Sequence, residues 1–242
     1  MKLVLFDIDG TLLSSTGAGK TAIKNSIENV CGRGIQLRGV QFAGRTDPAI
    51  VRDLLLVNGF MDDEAENMLA DCLKAYTASL MRHLTPSDVH VYPGVRDLVR
   101  SMAKDQEISL GLLTGNLQDT AYLKLHAAGL GSYFSFGAFG SDREHRNELP
   151  AVAAERAFQQ TGLKFEANQM FIIGDTPADF ECGRSHGAHC IGVSTGIFSH
   201  EQLASHEPDL LLTDFSEPSA LFAYLAKSSN ESTRARQVRS TI

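Results

Sequence analysis

Asp7 and Asp9 stand two residues apart at the end of a short apolar run, Leu3-Val4-Leu5-Phe6. Alternation along an extended backbone puts both on one side of the chain, and Gly10 behind them permits a sharp turn or a ligand's close approach. Two carboxylates at the mouth of an apolar strand repel each other and resist desolvation. A bound divalent cation removes that conflict, so function explains the pair better than packing does. Two more polar clusters follow apolar runs in the same way: Thr114-Gly115-Asn116 after 108–113, and Gly174-Asp175-Thr176-Pro177 after 170–173. Taken singly, each is a good turn and helix cap. Together they converge, because in parallel sheets ligands bind beyond the carboxyl ends of the strands. Three such ends suit one phosphate site.

The elements that must position these groups fall into two kinds. Helical spacing runs through Ile23, Ile27, Val30 and Cys31, then from Thr46-Asp47-Pro48 through Ile50, Val51, Leu54 and Leu55. A third helix follows Asp62-Asp63, with Leu69, Cys72, Leu73, Tyr76 and Leu80 as its stripe. No convincing strand lies between 14 and about 90, so this stretch is an inserted helical domain. After Tyr92-Pro93-Gly94, strands at 108–113, 134–139, 170–173, 190–193 and 210–212 alternate with helices at 95–102, 117–128, 148–161 and up to about 186. That alternation predicts an α/β fold, a doubly wound (Rossmann-like) parallel sheet. The core is then 1–13 with 92–226, the helical insertion 14–91, and 227–242 a polar tail expected to be mobile.

At 242 residues and 43% hydrophobic content, the chain can bury a substantial core. A net charge of −7 argues against a nucleic-acid surface. Cys31, Cys72, Cys182 and Cys190 show no metal or disulfide spacing. There is no signal-peptide pattern and no apolar stretch of membrane-spanning length, so a cytoplasmic location without membrane partners is expected. Gly17-Ala18-Gly19-Lys20-Thr21 imitates a phosphate-binding loop, but Ser14 stands where that loop needs its first glycine. Phe180 reads as core, and the His186/His189 pair as surface rather than metal ligands.

Asp7-x-Asp9-Gly10-Thr11, Thr114-Gly115-Asn116 and Gly174-Asp175-x-x-x-Asp179 resemble three of the four motifs of the haloacid dehalogenase-like hydrolase superfamily. The insertion at 14–91 is similar to the cap of its phosphoglycolate-phosphatase-like branch. The resemblance implies a Mg²⁺-dependent phosphatase acting on a small phosphorylated metabolite, with Asp7 as nucleophile and Asp9 as acid and base. Thr114, with the backbone around Gly115 and Asn116, would hold the phosphoryl oxygens. Gly10 and Thr11 join these as substrate contacts. Asp175 would complete a metal site with Asp7 and the Asp9 carbonyl, and Asp179 would support it. Arg45, in the cap loop 42–47, would meet a second anionic group. The fourth motif departs from the family: no lysine lies between Lys124 and Lys164. Arg146 is the best substitute cation and Arg143 the second. A β-phosphoglucomutase-like phosphosugar mutase and a non-catalytic phosphate-binding module remain alternatives, and the sequence does not choose between monomer and dimer.

Overall fold

The computed structural model describes residues 1–228. Its strands are β1 (Lys2–Phe6), β2 (Leu13–Ser14), β3 (His90–Val91), β4 (Ile108–Leu113), β5 (Gly137–Ala138), β6 (Met170–Gly174), β7 (His189–Val193) and β8 (Leu210–Leu212). The helices are α1 (Ala18–Cys31), α2 (Asp47–Val57), α3 (Asp62–His83), α4 (Val95–Met102), α5 (Gln118–Ala127), α6 (Leu149–Thr161), α7 (Pro177–His186), α8 (His200–Ala204) and α9 (219–228). Six strands form one parallel sheet in the order β5-β4-β1-β6-β7-β8. This is the doubly wound α/β architecture that the alternation predicts.

Both sheet faces are covered, and β1 shows why its sequence is apolar throughout. Val4 and Phe6 enter one core with Val95, Leu98 and Met102 of α4, Leu125 of α5, and Leu221 of α9. Leu3 and Leu5 enter the other with Leu149 and Ala153 of α6 and Cys182 of α7. A parallel strand buried on two sides has no polar face to alternate with.

Helices α1–α3 pack around a separate cluster that includes Ile27, Val51, Leu54, Cys72 and Tyr76, joined by Leu117 from just before α5. Where the chain enters and leaves this helical unit, β2 and β3 pair antiparallel, Leu13 with Val91 and Ser14 with His90. These two-residue strands carry no periodicity, which is why the sequence does not reveal them. Thr46 caps α2 as expected, its side chain accepting from the Ala49 N–H at 3.4 Å, with Pro48 in the first turn.

Several expectations need correction. The strand expected over 134–139 shrinks to β5, after a 3-10 turn at Gly131–Tyr133. Its aromatics divide between the two cores, Phe134 and Phe139 into one and Phe136 into the other, so Phe134 and Phe136, two residues apart, do not keep the strand period. As the sheet edge, it pairs with β4 only at Gly137 and Ala138. Helices α8 and α9 are additions that the sequence did not suggest. Of the expected tail, residues 227 and 228 continue α9, and the rest lies outside the described residues. Phe180 is fully buried as expected. His189 is half-buried rather than a free surface residue, its ring stacked on Phe171 at 4.6 Å and 2.8 Å from the Tyr224 hydroxyl. Among the described residues no helix is long and apolar enough to cross a membrane.

Phe6 is fully buried directly before Asp7, with Phe134 and Phe215 edge-on at 6.4 and 6.0 Å. Phe6→Ala is expected to cost ~3–5 kcal/mol, as a cavity no neighbour can fill, read from urea unfolding midpoints.

Candidate active site

In the sheet order β4, β1 and β6 are neighbours, so the three polar clusters of the sequence meet at adjacent strand ends. Asp7 continues β1, its N–H donating to the Ile173 carbonyl at 2.9 Å, and the Thr114 N–H extends β4 by donating to Ala138 at 3.0 Å. Asp175 follows β6, where Thr11 Oγ1 donates to its Oδ1 at 3.0 Å. The Asp175 carboxylate lies in a cradle of glycines. A Cβ on Gly10 would come within 2.2 Å of Asp175 Oδ2, and one on Gly196 within 1.7 Å.

One carboxylate oxygen from each of Asp7, Asp175 and Asp179 fits within 4.8 Å of the others. Arg146, buried in a 3-10 turn before α6, places Nη2 2.5 Å from Asp179 Oδ1 and 3.4 Å from Asp7 Oδ2. The second oxygen of Asp179 accepts from the Thr176 N–H at 3.0 Å and its hydroxyl at 2.7 Å, capping α7. Three carboxylates against one guanidinium would leave a local charge of −2 once all are ionised. A hard divalent cation matches that deficit, and the donors are the oxygens such an ion takes. Asp7 and Asp175 therefore fit the metal that the motifs imply, with Asp179, both of whose oxygens are already bonded, supporting them.

Burial raises the Asp7 carboxyl to about 6, with Arg146 as the main opposing influence. Asp175 is raised well above its ordinary value by burial and by its two acidic neighbours, Asp179 and Asp7. Burial works against the Arg146 charge, yet Asp179 and Asp7 more than restore it. Arg146 thus stands beside the expected nucleophile, as the lysine gap suggests. Arg143 does not: it is 55% exposed, holding Glu148 at 3.3 Å and the Asp142 carbonyl at 2.7 Å.

The Asp9 carboxylate belongs to a different set. Its Oδ2 accepts from Lys124 Nζ at 2.5 Å and Asn116 Nδ2 at 2.9 Å, and its Oδ1 from Ser15 Oγ at 3.3 Å. Asn116 also donates Nδ2 to Thr114 Oγ1 at 2.8 Å and accepts from Lys124 Nζ at 2.6 Å. Lys124 enters the sequence reading only as the edge of a lysine-free stretch. Its one trace in the sequence is a charge at helical spacing beside Ala121 and Leu125, the buried face of α5.

The helical unit closes over this floor through the first turn of α2. The Asp47 N–H donates to the Gly115 carbonyl at 2.7 Å, and Asp47 Oδ2 accepts from the Leu117 N–H at 2.9 Å. Thr46 Oγ1 donates to the Glu144 carbonyl at 2.6 Å, while Arg52 Nε binds the Glu144 carboxylate at 2.8 Å. Gly115 is obligatory here, since a Cβ would stand 2.1 Å from the Arg45 carbonyl oxygen.

A cavity of about 660 Å³ remains between the two parts, lined by Asp7, Asp9, Thr114 and Asp175 below and Lys20, Arg45 and Tyr76 above. Arg45 lies at its wall, but its guanidinium is 44% exposed and held by Asp53 at 2.6 Å. Lys20, from the stretch that imitates a phosphate loop, sits in α1 over the Phe42 ring at 5.0 Å. Sequence reasoning also passed over Asp47 and Tyr76 as site residues. Burial raises Asp47 to about 6 against the pull of Lys124, and holds the Tyr76 hydroxyl well above its usual range.

The family model for haloacid dehalogenase-like hydrolases matches residues 4–193. The chain belongs to that family. It is 29% identical over 218 residues to a phosphoglycolate phosphatase of Pseudomonas fluorescens, covering 88% of this chain and 76% of that one. A phosphoglycolate phosphatase of Aliivibrio fischeri is 24% identical over 219 residues, covering 89% and 93%. Among solved structures, β-phosphoglucomutase from Clostridium difficile superposes with a TM-score of 0.67 at 19% identity, covering 96% and 99%. CbbY from Rhodobacter sphaeroides, solved in complex with phosphate, gives 0.67 at 18% identity, covering 90% and 96%. The family model thus places the chain among the haloacid dehalogenase-like hydrolases.

Asp47 yields a pH prediction. Its folded value of about 6 exceeds the ordinary 3.8, so folding favours the protonated form. That contribution is complete below about pH 4 and is lost as pH rises through about 6. It amounts to roughly 3 kcal/mol at 1.36 kcal/mol per unit. In urea unfolding with EDTA, Asp47→Asn should therefore lose less stability than wild type between pH 4.5 and 7.5, by about 2 kcal/mol. An identical decline in both proteins would contradict the assignment.

Proposed function

We propose that this protein is a Mg²⁺-dependent phosphatase of the phosphoglycolate-phosphatase kind, hydrolysing a small phosphomonoester through an aspartyl phosphate on Asp7. The observation that carries this is the division of two neighbouring carboxylates between opposite settings. Asp7 is buried beside Arg146 and two further acids, whereas Asp9 is 39% exposed and bound to Lys124 and Asn116. Two carboxyl groups in different environments are suited to two roles, nucleophile and proton carrier.

The phosphomonoester brings about −1.5 to −2 of charge near neutral pH. Arg146 is the fixed side-chain cation next to Asp7, and its buried Nε has no hydrogen-bond partner, leaving a donor for a phosphoryl oxygen. Thr114 and the backbone of Gly115 and Asn116 line the same floor. Asp7 bonds to phosphorus as the ester P–O bond breaks, and Asp9 gives its proton to the departing alcohol. Asp9 then takes a proton from the water that attacks phosphorus and releases Asp7. Mg²⁺ held by Asp7, Asp175 and the Asp9 carbonyl would neutralise charge between nucleophile and phosphate. Asp179 keeps Arg146 in place and caps α7 at once.

The helical unit 14–91 would act as a cap that sets specificity. Arg45 could meet a second anionic group only by leaving Asp53, so in this arrangement its role depends on the substrate drawing it inward. The likeness to β-phosphoglucomutase supports a phosphosugar mutase as far as architecture goes, since the same carboxylates would serve it. The two readings differ in product: free phosphate or an isomeric sugar phosphate.

A panel of phosphomonoesters that includes 2-phosphoglycolate and hexose phosphates is expected to release phosphate with Mg²⁺ and not with EDTA. No release from any member would leave a binding module as the better reading, and isomerisation without release a mutase. Asp7→Asn should fall to background. Arg146→Ala should lose on the order of a hundredfold in kcat/KM, with Arg143→Ala within about threefold of wild type and Arg146→Lys recovering part of the loss. The reverse ranking of the two alanine variants would move the role to Arg143.

A further inference from the structure

Lys124 is the only buried lysine among the described residues. Its side chain is 4% exposed on a face of α5 where Ala121 and Leu125 are fully buried. Removing an ammonium from water is costly, and an apolar residue would pack there at less cost. Its presence has to be accounted for by what Nζ touches, and Nζ touches the site: Asp9 Oδ2 at 2.5 Å and Asn116 Oδ1 at 2.6 Å.

These three side chains form a closed triangle, because Asn116 Nδ2 donates to the same Asp9 oxygen at 2.9 Å. Two donors, one charged and buried, therefore fix Oδ2. Oδ1 has only the 3.3 Å contact from Ser15. From the other side, α1 approaches closely at Gly19, where a Cβ would stand 3.6 Å from both Lys124 Nζ and the Tyr76 hydroxyl. The ammonium is enclosed by core and helical unit alike and has little freedom to turn elsewhere. Arg146 serves Asp7 and Asp179, so the two cations are divided between the two catalytic carboxylates.

We infer that Lys124 is a positioning residue for Asp9: with Asn116 it holds Oδ2 and leaves Oδ1 as the oxygen that carries protons. This rests on the phosphatase function proposed above. In the first step the ester P–O bond breaks, its electron pair leaves on the alcohol oxygen, and the proton on Oδ1 passes to that oxygen. In the second, the water oxygen bonds to phosphorus, one of its protons passes to Oδ1, and the P–O bond to Asp7 breaks. Lys124 touches none of the reacting atoms. It acts only by denying Asp9 its other orientations.

Leaving-group dependence tests the inference, because nitrophenolate departs without a proton and an alkoxide does not. With Mg²⁺ present, Lys124→Met should lower kcat/KM on the order of a hundredfold for the fastest alkyl phosphate of the panel, but less than about fivefold for p-nitrophenyl phosphate. Lys124→Arg, which keeps a cation, should move the ratio of the two substrates back toward wild type. Folding is checked by circular dichroism and thermal unfolding, and Lys124→Gln carries the same comparison if the methionine variant does not fold. Equal losses on the two substrates, a larger loss on p-nitrophenyl phosphate, or no loss on either would overturn the role. Wild-type protein inactive on both would instead overturn the phosphatase reading beneath it.

Discussion

Like charge gathered at the mouth of an apolar sheet is the constraint to which the rest of this structure answers. Asp7, Asp175 and Asp179 are buried within 4.8 Å of one another, and Asp9 lies two residues from the first. Carboxylates so placed cannot all ionise without cations. Arg146 supplies one positive charge to the buried trio, and Lys124 another to Asp9. The remaining deficit is what suits this acidic cluster to a divalent ion and the cavity above it to chemistry.

The fold delivers these groups at little conformational cost. Three adjacent parallel strands end together, and the side chains just beyond them are fixed by backbone bonds rather than by long flexible loops. Glycines then set the distances. Gly10 and Gly196 let the Asp175 carboxylate lie against the backbone, and Gly115 lets the first turn of α2 dock on the floor of the site. Asp179 joins two tasks, capping α7 and orienting Arg146, so helix placement and site electrostatics are not separable here.

The helical unit contributes more than a roof. Asp47 bonds two backbone groups of the β4–α5 connection while lying in the field of Lys124. Arg52 and Thr46 hold Glu144, two residues before Arg146. Seating of α2 is thus linked physically to both cations of the site, one through each strand-end loop.

The amino-acid sequence by itself determined the alternating elements, the acid pair just after β1, the polar strand ends, the Thr46 cap and the run of helices α1–α3. These are local patterns: periodicity, a turn residue, a carboxylate where a strand stops being apolar. It also pointed to Arg146, because the missing lysine narrowed the choice to a short loop. Only the tertiary structure decided that Asp9 turns toward Lys124, 115 residues away, and that Arg45 is held by Asp53 rather than aimed at the floor. It alone paired β2 with β3 and reduced the 134–139 strand to two residues at a sheet edge. The physical reason is common to all of these. A side chain's partner across the fold is set by which elements pack together, and a charge on a buried helix face looks like any other lysine until its neighbours are known.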